Sequence, residues 1–135
     1  MMHIVRMKRM MILGIGTDII RIERIEKAIQ RKSFLEYTYT PAERQLIERR
    51  PVCAAGNFAV KESVAKAFGT GFSCISLVDI EVLRAENGCP YVNLYGAAAQ
   101  LFKERNGTRV HVSISNEKEY AVAYVVLEGR SDCEA

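Results

Sequence analysis

Apolar and polar positions divide the chain into a short first strand, a helical block and a strand-rich second half. Residues 11–15 are almost wholly apolar and run into Gly16-Thr17-Asp18, which predicts a strand ending in a tight turn. Over residues 19–32 the period becomes helical, with Ile22, Ile25 and Ile29 on one face and Arg24, Lys27 and Arg31 on another. Thr40-Pro41-Ala42-Glu43 marks the start of a second helix reaching about Arg50. The threonine can cap, the proline suits the first turn and the glutamate completes a capping box. A third, alanine-rich helix is predicted over residues 54–68, stopped by Gly69-Thr70-Gly71.

Beyond that point the pattern favours strands. Residues 76–84 and 91–95 flank Asn87-Gly88, a hairpin signal. A short helix over residues 97–105 is closed by Asn106-Gly107. Residues 109–115 alternate strictly: Val110, Val112 and Ile114 on one face, His111, Ser113 and Ser115 on the other. A final strand is predicted over residues 120–127. This order predicts an α+β fold, a mostly antiparallel sheet packed against helices, and not a repeated βαβ unit. A single domain is expected over residues 11–128, with residues 1–10 as an N-terminal extension and 129–135 as a polar tail.

Composition narrows the class. A chain of 135 residues can bury a conventional core as one domain. With 49% hydrophobic and 26% charged residues it reads as an ordinary soluble protein, and no apolar run is long enough to suggest a membrane span. Cys53, Cys74, Cys89 and Cys133 are far apart, without a C-x-x-C pair, so reduced thiols in a cytoplasmic protein are expected rather than a zinc site. Cys133, in the polar tail, is expected to be exposed. The net charge of +3 comes from the first ten residues; of 19 basic residues three lie there, leaving 16 against 16 acidic. Charge therefore gives no argument for nucleic acid, and neither strand aromatics nor an arginine-rich segment marks an RNA reader.

Three segments could carry chemistry. In Gly14-Ile15-Gly16-Thr17-Asp18 the glycines allow close backbone approach, and Asp18 reads either as a helix N-cap or as a ligand. A dinucleotide fingerprint is unlike it, because the third glycine is missing. On the third helix Glu62 and Lys66 are four residues apart and share a face. An exposed pair of this kind contributes about 0.3–0.5 kcal/mol, yet a charged face on so alanine-rich a helix calls for a reason. Gly69-Thr70-Gly71 reads as a plain C-cap or as a set of N–H groups and a hydroxyl suited to phosphate oxygens. His111, Ser113 and Ser115 make a row of polar ligands if their strand face meets a pocket, and a solvated face otherwise; no nucleophile elbow accompanies them.

Taken together, GIGTD (14–18), FAVKESVAKAFGTG (58–71), NGCPY (87–91), HVSIS (111–115) and EYAVAYV (119–125) resemble the holo-acyl-carrier-protein synthase family, small 4′-phosphopantetheinyl transferases. The resemblance spans residues 11–128. It implies transfer of 4′-phosphopantetheine from coenzyme A to a serine of apo-acyl carrier protein, releasing adenosine 3′,5′-bisphosphate, in fatty acid biosynthesis. It implies that Asp18 and Glu62 bind magnesium together with the coenzyme A pyrophosphate, and magnesium does favour one or two carboxylates plus substrate phosphates. Lys66 would complete the catalytic group by neutralising phosphate charge, and the proton acceptor would be a metal-bound water or Glu62 through water. Lys61, Gly69, Thr70 and Gly71 would line the coenzyme A site and His111 would contact the nucleotide phosphate. Arg24 and Arg31, with Lys27 between them, would meet an acidic helix of the carrier protein. The family also implies a homotrimer with active sites between subunits.

Two positions depart from the family pattern. Many relatives carry arginine where Asn57 stands, which would weaken phosphate or partner contacts here. Many carry histidine where Asn116 stands, which removes any proton-transfer role at that position. Two other readings compete: a non-catalytic module that docks an acidic protein through the basic helix, and a magnesium-dependent phosphohydrolase. The second has only two marked carboxylates, fewer than a two-metal hydrolase usually needs.

Overall fold

The computed structural model describes residues 9–131, in the order β1 (Arg9–Arg21), α1 (Ile22–Ala28), α2 (Lys32–Thr38), α3 (Pro41–Arg49), α4 (Cys53–Phe68), β2 (Ile80–Arg84), β3 (Pro90–Leu94), α5 (Gly96–Glu104), β4 (Gly107–Asn116) and β5 (Tyr120–Ser131). The α+β expectation holds. One antiparallel sheet has the order β1-β5-β4, and β2 and β3 form a separate antiparallel hairpin. Alternate residues of β5, Ala121, Ala123, Val125 and Leu127, are buried, and α4 lies across that face. The core is the contact of α4 with the sheet and with Ile80 and Val82 of the hairpin.

Helix α4 is built for this position. Ala54, Ala55, Ala59, Ala65 and Ala67 are all buried, so its backbone can sit close to the sheet, where Val60, Val64 and Phe68 fill the remaining space. Gly69 ends it in the left-handed conformation at φ 78°, donating its N–H back to Ala65 and Lys66. The capping box at α3 also forms as predicted: the Glu43 N–H donates to Thr40 Oγ1, and the Thr40 N–H donates to Glu43 Oε1 at 3.1 Å.

The first third of the chain departs from the sequence pattern. The predicted turn at Gly14 and Gly16 is absent, and β1 continues through both glycines to Arg21, paired with β5 along its length. Neither glycine has a positive φ. Their role is steric: a Cβ on Gly14 would collide with the Ala67 carbonyl, and one on Gly16 with the Ser63 carbonyl. The single helix predicted over residues 19–32 is correspondingly shorter, and breaks after α1 before a separate α2 begins. Strand pairing of residues 18–20 with Ala121 to Ala123 outweighs their helical period. Residues 77–79 form one 3-10 turn, so the strand predicted from residue 76 begins only at Ile80. Both long strands outrun the expected domain limits, since Arg9 pairs with Ser131 and Met10 with Arg130. The rest of the expected extension, and Cys133 with its expected exposure, lie outside the described residues.

Candidate active site

The close crossing of β1 and α4 brings Asp18, Glu62 and Lys66 together, although 44 residues separate the two carboxylates in the chain. Asp18 lies opposite Ala123 and so shares the sheet face that α4 covers. The strand is pinned there by Thr17, whose hydroxyl donates to the Ala123 carbonyl at 2.9 Å. From the last turn of α4 the Lys66 ammonium reaches down to Asp18 Oδ1 at 3.1 Å and to the Thr17 carbonyl at 3.0 Å. Glu62 stands one turn earlier on the same helix face. Partial burial pushes its carboxyl above the usual range, the negative charge of Asp18 adds to that push, and Lys66 and Arg24 oppose it. Two carboxylates therefore repel across a cleft flanked by two cations.

Such a pair fits a divalent cation. Among the described residues no three His, Cys, Asp or Glu side chains converge on one point, so the chain offers no complete cage. A hard cation that takes most of its ligands from water and a bound phosphate needs no more than two carboxylates.

Arg24 links this cleft to the outer face of α1. Arg21, Arg24, Lys27 and Arg31 line a groove of about 520 Å³ whose apolar floor includes Phe34 and Phe58. Lys27 also pairs with Glu23 at 3.1 Å. The three basic residues singled out from the helical wheel thus border one surface, even though Arg31 lies beyond the end of α1. At the far end of α4, Gly69 and Gly71 both have positive φ, 78° and 57°, and Thr70 Oγ1 donates to the Gly71 carbonyl at 2.9 Å.

His111 is not brought to this cleft. It pairs with Val126, on the sheet face opposite to that of Ala123 and Asp18, where its Nε2 meets Glu128 Oε1 at 3.1 Å.

Lys61 requires a correction. Expected to line the coenzyme A site, it is 0% exposed, with its ammonium donating to Glu43 Oε1 at 2.7 Å and to the carbonyls of Leu77 and Ile80. As the neighbour of Glu62 on a helix it must point to a different side, and that side is core. Burial drives the Glu43 carboxyl up and the Lys61 ammonium down, each resisted chiefly by the other's charge. Asn57 belongs to the same network: its amide donates to Glu43 Oε2 at 3.0 Å and to the Val82 carbonyl at 2.8 Å, and Arg84 donates to its Oδ1 at 2.9 Å. Arg84, which the sequence does not single out, thus brings a guanidinium to the buried Asn57. No sequence period announces this network; the only trace is Glu43, legible as a cap but not as a lysine's partner.

Residues 14–125 match the 4′-phosphopantetheinyl transferase superfamily. The chain is 56% identical over 118 residues to a holo-[acyl-carrier-protein] synthase of Lachnoclostridium phytofermentans, covering 87% of this chain and 97% of that protein. Among solved structures it resembles an acyl carrier protein synthase of Plasmodium yoelii with ADP bound, at TM-score 0.81 and 30% identity, covering 90% of this chain and 98% of the other. It also resembles a holo-[acyl-carrier-protein] synthase of Helicobacter pylori in complex with coenzyme A, at TM-score 0.75 and 33% identity, covering 84% and 98%.

Proposed function

The chain belongs to the 4′-phosphopantetheinyl transferase superfamily, among its holo-[acyl-carrier-protein] synthases, and from that premise we propose how Asp18, Glu62 and Lys66 serve the transfer. The protein moves phosphopantetheine from coenzyme A to apo-acyl carrier protein, giving holo-acyl carrier protein for fatty acid biosynthesis. The observation that carries the reading is the meeting of Asp18 and Lys66, with Glu62 repelled by Asp18 beside them.

Asp18 and Glu62 would hold magnesium against the pyrophosphate of coenzyme A. When bound, the ion polarises the phosphoryl oxygens and offsets their charge. Lys66, already anchored by Asp18 and the Thr17 carbonyl, would meet the phosphate brought to these carboxylates and neutralise charge that develops in the transfer. The carrier's serine oxygen forms the new bond to phosphorus as the bond to adenosine 3′,5′-bisphosphate breaks. Glu62 would take the serine proton through a water. Thr70 with Gly69 and Gly71 lines the coenzyme A site beyond Lys66. Arg24, Lys27 and Arg31 receive the acidic helix of the carrier protein, supported by the apolar floor that this groove offers.

His111 enters through a second copy. Its sheet face also exposes Ile15, Ile19 and Tyr124, at 56%, 62% and 47%, an apolar surface that a homotrimer would cover. In that assembly His111 of one copy contacts the nucleotide phosphate held at another's cleft. A cytoplasmic setting goes with this reading, supported by the unpaired thiols of Cys53, Cys74 and Cys89. Among the described residues no helix is long and apolar enough to cross a membrane.

The test is direct. The protein is incubated with apo-carrier protein, coenzyme A and magnesium, and the carrier is weighed by mass spectrometry. A phosphopantetheine increment that disappears with chelator supports the reading. Tight carrier binding without any increment would instead identify a docking module, and an increment indifferent to chelator would remove the metal.

A further inference from the structure

A phosphate site at Gly69-Thr70-Gly71 poses an electrostatic problem, because this loop leaves the C-terminal end of α4. Helix C-termini carry partial negative charge and disfavour anions. Two of the last four carbonyls of α4, those of Ala65 and Lys66, accept from the Gly69 N–H, and that of Ala67 lies against β1 at Gly14. The carbonyl of Phe68 points instead at a residue far along the chain. Arg105, the C-cap residue of α5, donates Nη1 to it at 2.6 Å and lays its guanidinium over the Phe68 ring, 5.7 Å from the centroid. That ring is in turn held edge-on by Phe102 of α5, at 6.3 Å.

The guanidinium has no carboxylate partner among the described residues, and its remaining donors are uncommitted there. It is a positive charge held at the last carbonyl of α4, next in sequence to the glycine that opens the loop. Lys66 is the other cation of this helix end, but Asp18 engages it.

Resting on the reading that the loop lines the coenzyme A site, we infer that Arg105 is a positioning residue for the anionic, phosphate-bearing co-substrate. It cancels the negative end of α4 and fixes the start of the loop, so that a helix C-terminus can receive a phosphate. It acts through the Phe68 carbonyl, and its role depends on charge as well as on the hydrogen bond.

The charge dependence separates this role from that of a simple cap. Arg105→Gln can still donate a hydrogen bond but carries no charge, while Arg105→Lys keeps the charge. Steady-state kinetics of the intact protein are measured with saturating carrier protein and varied coenzyme A, alongside thermal unfolding. Arg105→Gln is expected to raise KM for coenzyme A about fivefold, with kcat within about twofold of wild type. Arg105→Lys is expected to recover most of the loss, and the gap between Gln variant and wild type to narrow as salt is added. A Gln variant with wild-type KM, or a Lys variant no better than Gln, would overturn the inference.

Gly71→Val supplies the control for the loop itself. At φ 57° a branched residue strains the loop, and no neighbouring atom lies close enough to clash. An unchanged KM for coenzyme A in Gly71→Val would sink the loop assignment and this inference together. A raised KM there with an indifferent Arg105→Gln would sink only the role of Arg105.

Discussion

At the scale of single residues the site depends on neighbours that point opposite ways. Glu62 faces the cleft and Lys61 faces the core, and substitutions at the two should fail differently. Glu62→Gln keeps the shape and removes the charge, so turnover should fall by about a hundredfold or more while the fold persists. Its stability has a defined sign. Burial and Asp18 raise the folded proton affinity of Glu62 above that of the unfolded chain, so ionising it costs folding free energy. That cost is absent below the ordinary carboxylate range and sets in as pH rises through the folded value. Glu62→Gln should therefore unfold at an equal or higher temperature than wild type at neutral pH, with the difference gone in acid. Thermal scans at several pH values check this, and a lower melting temperature at neutral pH would contradict it. Lys61→Met should behave in the reverse manner. It leaves Glu43 buried without its cation, which costs about 3–5 kcal/mol in urea unfolding. Adding Glu43→Gln should restore much of that loss, because the stranded charge disappears. Additive losses in the double variant would mean that the pair is not coupled.

At the scale of elements, legibility follows the range of the interactions that decide each one. The start of α3 was readable because its capping box is settled within four residues, and the stop of α4 because Gly69 adopts its left-handed conformation locally. The alternation of β4 was readable because one face is core and the other is not. The length of β1 was not readable: two glycines in five residues look like a turn, and only the backbone of α4 reveals them as clearance. The split between α1 and α2 was not readable either; beyond it Phe34 packs against Tyr39 and Phe58, contacts that only the fold supplies. Of the site, Asp18, Glu62 and Lys66 were nameable in advance through motif resemblance. The side on which Lys61 lies, and Arg105 altogether, required the fold.

The basic face at α1 illustrates how one element can hold two roles. Arg31→Glu, distant from the influences on Glu62, should raise KM for the carrier protein about tenfold and leave coenzyme A use unchanged. Arg24→Glu should do the same and in addition move the titration of Glu62 in the metal-free protein to higher pH, because Arg24 now helps keep that carboxyl ionised. Identical Glu62 titrations in the two variants would separate Arg24 from the cleft.

At the scale of the whole molecule, the proposed roles of Asp18 and His111 at one phosphate require the two faces of the β1-β5-β4 sheet to serve in different copies. Asp18 and His111 hang from opposite faces, so a single chain cannot bring both to one phosphate without dismantling the sheet that α4 packs on. The proposed homotrimer would resolve this, each copy lending its His111 face to a neighbour's Asp18 and Glu62. The consequence is testable by mixing two crippled proteins. Suppose Glu62→Gln and His111→Ala chains, each nearly inactive alone, are co-expressed in equal amounts and purified as mixed assemblies. A site works only where an intact Glu62 from a His111→Ala chain meets an intact His111 from a Glu62→Gln chain, so each mixed trimer holds one working site in three and activity should return to roughly one third of wild type. Sedimentation should show both the mixture and each parent as trimers, and Ile19→Glu, which charges the shared apolar face, should abolish assembly and activity together. If the mixture stays as inactive as its parents while forming mixed trimers, His111 does not act across the interface. The face it occupies would then serve assembly alone.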